Sequence, residues 1–204
     1  MFKKMASDML GLSDIGTIIK PEDYDKVDAD DYVMHEDGEK IYFLIKSKSD
    51  EYCFTNKALI HLDGTSATNK KRTLRRWAYD IHPVTKVSLE TAGNLDMDVE
   101  IKFHIGTNAY SIDVRKDQIN ELKDLYKALL KIEEIQRDNK VLLELAQQSL
   151  DVASGTLRTI RNSEESLVGQ FKELNEAAFS WLVEARNRYS VKDFGHVFEL
   201  FINN

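Results

Sequence analysis

Five basic residues crowd one short stretch of this chain, Lys70, Lys71, Arg72, Arg75 and Arg76, with no acid among them. Ammonium and guanidinium groups packed this closely can hold a phosphate or a carboxylate, and guanidinium does so with two parallel hydrogen bonds. Against that stands an acidic segment between Lys20 and Lys40. There Glu22, Asp23, Asp25, Asp28, Asp30, Asp31, Glu36, Asp37 and Glu39 meet only three lysines. The basic run therefore has three readings. It is an anion site, a charged strand edge that discourages strand pairing, or the counter-charge of the acidic segment, within one chain or between subunits.

No other constellation reaches catalysis or metal binding. His35, His61, His82, His104 and His196 are scattered without a ligand spacing such as H-x-x-x-H. Cys53 sits between Tyr52 and Phe54 with no neighbouring base to draw out a thiolate, and reads as a small packing residue. The run Gly64-Thr65-Ser66-Ala67-Thr68-Asn69-Lys70 lacks the second glycine of a phosphate loop and leads to no helix N-terminus. Glu90, Asp96 and Asp98 read as exposed turn chemistry. Nothing supplies nucleophile, base and orienting group together, so no catalytic residue, cofactor site or metal site is expected.

Composition agrees. Of 204 residues, 42% are hydrophobic and 31% charged, with only two prolines (Pro21, Pro83) and nine glycines, which suits a folded chain without long linkers. A net charge of −7 argues against general nucleic-acid binding. No apolar run approaches the roughly 20 residues that span a bilayer. Met1-Phe2-Lys3-Lys4 is followed by Ser7 and Asp8 rather than by a signal-peptide core. With one cysteine and no intrachain disulfide, a reducing cytoplasmic setting is expected.

The elements that must position these residues change character once, near Asp117. Before it, apolar and polar residues alternate; after it, apolar residues recur every three to four positions. Behind a lead-in of turns over 1–38, strands are predicted over 41–46, 51–55, 58–62, 72–79, 84–89, 97–105 and 110–114. The clearest is 97–105, with Met97, Val99, Ile101, Phe103 and Ile105 on one side. A helix over about 117–136 carries Ile119, Leu122, Leu125, Tyr126, Leu129 and Ile132 on one face, and should bury it against the sheet. Beyond Asp138 a stripe of Val141, Leu142, Leu145 and Val152 weakens at Ser154-Gly155. A second helix is predicted from Asn162, with Glu165 completing a capping box. Its seam is Leu167, Phe171, Leu174, Ala178, Trp181 and Ala185, the spacing of a coiled coil. The tail adds Val191, Phe194, Val197, Phe198, Leu200 and Phe201, too apolar to lie free in water.

Two stretches carry a resemblance. Thr55-Asn56-Lys57-Ala58-Leu59-Ile60 is similar to the strand-turn-strand segment of the bacterial pleckstrin-homology domain family. So is Val87 to Glu100, where Glu90-Thr91-Ala92-Gly93 is followed by Asp96-Met97-Asp98. The resemblance covers about residues 10–135, and residues 138–204 resemble the YvbH-like extension, a helical hairpin associated with oligomerisation. It implies an α+β, mainly β, fold: a PH-like seven-stranded antiparallel barrel capped by a C-terminal helix (domain 1–137), then a helical hairpin (138–204). It implies self-association into a closed homo-oligomer and no enzymatic activity. Lipid-binding PH domains place basic residues on the first hairpin. Here Lys46 and Lys48 face Asp50 and Glu51, which repel phosphate.

The expected function is a non-enzymatic interaction module presented in several copies. Leu167, Phe171, Leu174, Trp181, Phe194 and Phe198 would carry assembly, since aromatics left on a lone hairpin form the kind of patch that marks an interface. Partners are then a second copy of the chain and a further protein. The rival expectation is a membrane-surface module, with Lys70, Lys71, Arg72, Arg75 and Arg76 on anionic headgroups.

Overall fold

The structure, a computed structural model, describes residues 14–64, 72–91, 98–157 and 167–202. Eight strands form two antiparallel sheets. The first runs in the order β1 (Thr17–Ile18), β2 (Ile41–Lys46), β3 (Glu51–Thr55), β4 (Ala58–Gly64), β5 (Arg72–Ala78), and the second in the order β6 (Val84–Glu90), β7 (Asp98–Ile105), β8 (Asn108–Arg115). Seven of these are the predicted strands; β1 is additional.

A closed seven-stranded barrel is not what the described residues form. The two sheets are bridged at Gly16, whose N–H donates to the Asp113 carbonyl at 2.7 Å and whose carbonyl accepts from Arg115 N–H at 3.1 Å. A glycine is needed there, because a Cβ would stand 2.5 Å from Ile45 Cγ2. Between β5 and β6 no pairing joins the sheets among the described residues.

One face of the first sheet is covered by the lead-in. Three 3-10 turns (Pro21–Lys26, Asp28–Tyr32, His35–Asp37) lay Val27, Ala29 and Val33 against Leu44, Cys53, Ile60 and Leu62. In the second sheet β7 alternates as the sequence predicts, with Val99, Ile101, Phe103 and Ile105 buried.

Helix α1 spans Ile119–Leu157 without interruption. It runs through the predicted end near Gln136 and through Ser154-Gly155. No proline interrupts this span, and one internal glycine costs only about 1 kcal/mol relative to alanine. Leu122, Leu125, Leu129 and Ile132 are fully buried, as their stripe requires. Gln118, just ahead of the helix, exchanges two hydrogen bonds with the Ile18 backbone, at 2.8 and 3.0 Å. Further along, Glu133 accepts from Lys86 N–H at 3.3 Å. Helix α2 spans Leu167–Tyr189 and α3 spans Gly195–Phe201. The predicted cap at Asn162 and Glu165 lies outside the described residues.

The chain divides into two compact units. One joins residues up to Glu133 with the segment from Lys192 onward; the other is Glu134–Val191. The helical unit is thus inserted into the first unit rather than appended to it. Of the stretch 138–204, expected as one extension, the segment from Lys192 onward packs with the sheet unit.

Candidate functional site

The basic strand is already neutralised. Alternation along β5 sends Arg72 and Arg76 to one face and Arg75 to the other. Arg72 binds Asp28 and lies 3.7 Å from Glu51; Arg76 binds Glu39 at 2.9 Å; Arg75 binds Asp63 at 2.6 Å. Lys46 is held by Glu51 at 2.6 Å. The acidic lead-in is therefore the intrachain counter-charge for Arg72 and Arg76, and the anion-site reading loses the three arginines that the structure describes. Lys70 and Lys71 lie outside the described residues. As an edge strand that no other strand pairs among the described residues, and carrying arginines, β5 also fits the strand-protection reading.

Glu39 anchors this arrangement. Its side chain has no exposure, and it accepts hydrogen bonds from Thr55 Oγ1 at 2.5 Å, Arg76 at 2.9 Å and the Met34 N–H at 2.9 Å. Burial pushes the carboxyl upward, but these donors outweigh it and hold Glu39 below the usual carboxylate range.

The histidines stay apart, and among the described residues no group of His, Cys, Asp and Glu is placed to hold a metal. Cys53 is fully buried, and burial raises its thiol, which suits a packing residue. Glu90 shares Lys102 with Glu100 at 2.7 and 3.0 Å on an exposed face of β6 and β7; Asp96 lies outside the described residues. His61 is buried, stacks on Tyr52 with ring centres 4.4 Å apart and places Nε2 3.1 Å from Asp50. Burial lowers its proton affinity further than the Asp50 bond raises it. The unfolded chain then holds that proton more tightly than the folded one. The His61 contribution to stability is complete above pH about 6.5 and is lost as pH falls through the lower folded-state value. Thermal denaturation between pH 7.5 and 5 is expected to show this decline, and His61→Phe to flatten it.

The apolar tail has an unexpected site. Asn56 binds it from the turn before β4. The Asn56 amide donates to Asp193 at 2.6 Å and to the Gly38 carbonyl at 3.3 Å, its side-chain oxygen accepts from Lys40 N–H at 2.8 Å, and its backbone carbonyl accepts from Phe194 N–H at 2.7 Å. Phe198 stacks on Tyr42 at 5.4 Å and Phe194 meets Tyr79 edge-on at 5.8 Å. Tyr42 also donates to Glu199 at 2.8 Å, and burial together with that carboxylate pushes its hydroxyl up to about 12. Phe194 and Phe198, expected to carry assembly, are instead fully buried inside the first unit. Aromatic density at a chain end signals that the tail must pack. The partner escaped the sequence reading because it lies 137 residues away.

With the tail accounted for, most of the large apolar side chains still exposed among the described residues are on the helical unit. Val168, Phe171, Phe179 and Trp181 are 78, 71, 67 and 47% exposed, and Leu174 is 44% exposed. On α1, Leu145 and Val152 are exposed as well. Helix α2 touches α1 where the Trp181 indole meets the Ala146 carbonyl at 3.5 Å, and among the described residues of this unit only Ala146 and Ala185 are buried. An open groove lies between the two helices, lined by Leu150, Ala153, Phe171, Leu174 and Ala178, with Asp151 and Asn175 also on its walls. Leu167 opens α2. Phe171, Leu174 and Trp181 are thus on one helix and exposed together.

Comparison with known proteins places these units. Residues 9–133 match the bacterial PH domain and residues 144–204 match the YvbH-like oligomerisation region. The uncharacterized protein YvbH of Bacillus subtilis strain 168 is 60% identical over 204 residues, all of both chains. The uncharacterized protein YjqA of the same strain is 33% identical over 96 residues, 46% of this chain and 74% of its own. A crystal structure of a PH domain containing bacterial protein from Exiguobacterium sibiricum 255-15 is 53% identical, with a TM-score of 0.89, and covers 93% of this chain and 100% of that one.

Proposed function

The chain belongs to the bacterial PH domain family and carries a YvbH-like oligomerisation region, and on that premise we propose that it is a non-enzymatic interaction module that assembles with itself. In this reading the inserted unit Glu134–Val191 joins copies into a closed homo-oligomer and each copy presents one PH unit. The observation that carries it is the exposure of Phe171, Leu174, Phe179 and Trp181 on a unit, Glu134–Val191, in which only Ala146 and Ala185 are buried among the described residues. Patches of this kind mark interfaces, and most soluble homo-oligomers close by symmetry. Several PH units in one assembly would add weak contacts to a further protein into avidity. The membrane-surface reading has less support, since Arg72, Arg75 and Arg76 would have to leave their carboxylates.

Phe171→Asp combined with Trp181→Asp is expected to abolish self-association, raising the dissociation constant at least about 100-fold, since two buried aromatic anchors each contribute about 2 kcal/mol or more. Far-UV circular dichroism should be unchanged, because Phe171 is 71% exposed and Trp181 47% exposed in the single chain, with the Ala146 carbonyl the one polar contact that the Trp181 indole makes among the described residues. A variant that keeps the mass of the unmodified protein at all dilutions removes these residues from the interface.

A further inference from the structure

Helix α2 carries two apolar lines, and one of them has no counterpart among the described residues of its own chain. Phe171, Leu174 and Ala178 wall the groove against Leu150 and Ala153 of α1. Phe179 and Val183 form a ridge roughly 110° further around the helix, taking about 100° per residue, and Val168 lies on the same side three turns earlier, beyond the exposed Lys172–Glu176 ion pair. Phe179, Val183 and Val168 are 67, 41 and 78% exposed. A single partner helix covers a stripe, not both lines at once. We propose that the ridge of one copy, with Phe179 at its centre, seats in the α1–α2 groove of a second copy. This rests on the self-association reading above and assigns its contact.

Two observations favour a second copy as occupant. The chain's own apolar tail, the segment best suited to cover a groove, is committed elsewhere, with Phe194 and Phe198 fully buried in the first unit. Charge is also complementary. Arg186 lies on the same side of α2 as the ridge, about two turns beyond Phe179, while Asp151 stands at the groove. Groove and ridge occupy the same helix, so every copy offers one of each. A reciprocal pair or a ring then satisfies both, as closed symmetry requires.

The test uses full-length chains carrying two different tags and co-expressed. One carries Ala153→Cys and the other Phe179→Cys; the native Cys53 is buried and stays silent. A short bis-maleimide is expected to link the two tags, whereas Glu173→Cys, on the opposite side of α2, paired with Ala153→Cys is expected not to. Phe179→Asp alone should weaken self-association roughly 30-fold or more. If light scattering still shows an oligomer while Phe179→Cys links no better than Glu173→Cys, the ridge-in-groove contact is wrong and self-association stands. If the unmodified chain is a monomer at every concentration, both fall.

Discussion

Replacing Phe198 by alanine is expected to destabilise the sheet unit by about 3–5 kcal/mol, the range for deleting a buried phenylalanine. Phe198 has no exposure and rests on Tyr42 at 5.4 Å and Tyr79 at 6.3 Å. Its loss leaves a cavity beneath both rings and releases the segment that Asn56 and Asp193 hold. Urea denaturation of the full chain followed by tyrosine fluorescence measures this. Leu200→Ala, on the same helix but 57% exposed, should shift stability by no more than about 0.5 kcal/mol. If the two variants match, the tail is not part of the core. A chain stopped before α1 ends also removes this tail. Its behaviour would report the damage to the first unit together with any loss of assembly, so point substitutions on α2 are the cleaner probe.

Glu39→Ala is expected to cost a similar amount, about 3–5 kcal/mol, because removing one partner of a buried pair strands the other. Three donors converge on that carboxylate: Thr55 Oγ1, the Met34 N–H and the Arg76 guanidinium. Glu39→Gln keeps the shape and part of the bonding and should cost less. Because the folded protein holds Glu39 below its ordinary value of 4.5, its stabilisation is present above that pH and is lost as pH falls through the lower folded-state value. Chemical denaturation at pH 7 and pH 3 should therefore show the gap between wild type and Glu39→Ala narrowing at the acid end. A constant gap would show that the carboxylate is not held in its charged form.

Much of this architecture is legible in the sequence. The alternation from Val99 to Ile105 and the stripe from Leu122 to Ile132 each report one local period, and local periods survive without tertiary knowledge. Where α1 ends is not legible, because the polar run Asp138-Asn139-Lys140 interrupts the apolar stripe without interrupting the helix. Stripe and helix are different things once packing is no longer continuous. The acidic lead-in and the basic strand were each visible, and their pairing is the simplest consequence of opposite charge; which acid meets which arginine depends on the fold. The tail is the instructive case. Phe194, Val197 and Phe198 announce burial by composition alone. Whether they bury in another subunit or in their own sheet unit is decided by Asn56 and Tyr42, residues with no local signal linking them to the tail.

The proposed role depends on one physical claim: that the inserted unit Glu134–Val191 holds copies of the chain together. Sedimentation equilibrium of the unmodified full-length protein across a hundredfold range of concentration tests it most directly. A mass equal to one whole multiple of the chain, two or more, constant over the upper part of that range, is the predicted result. A single-chain mass throughout would contradict it.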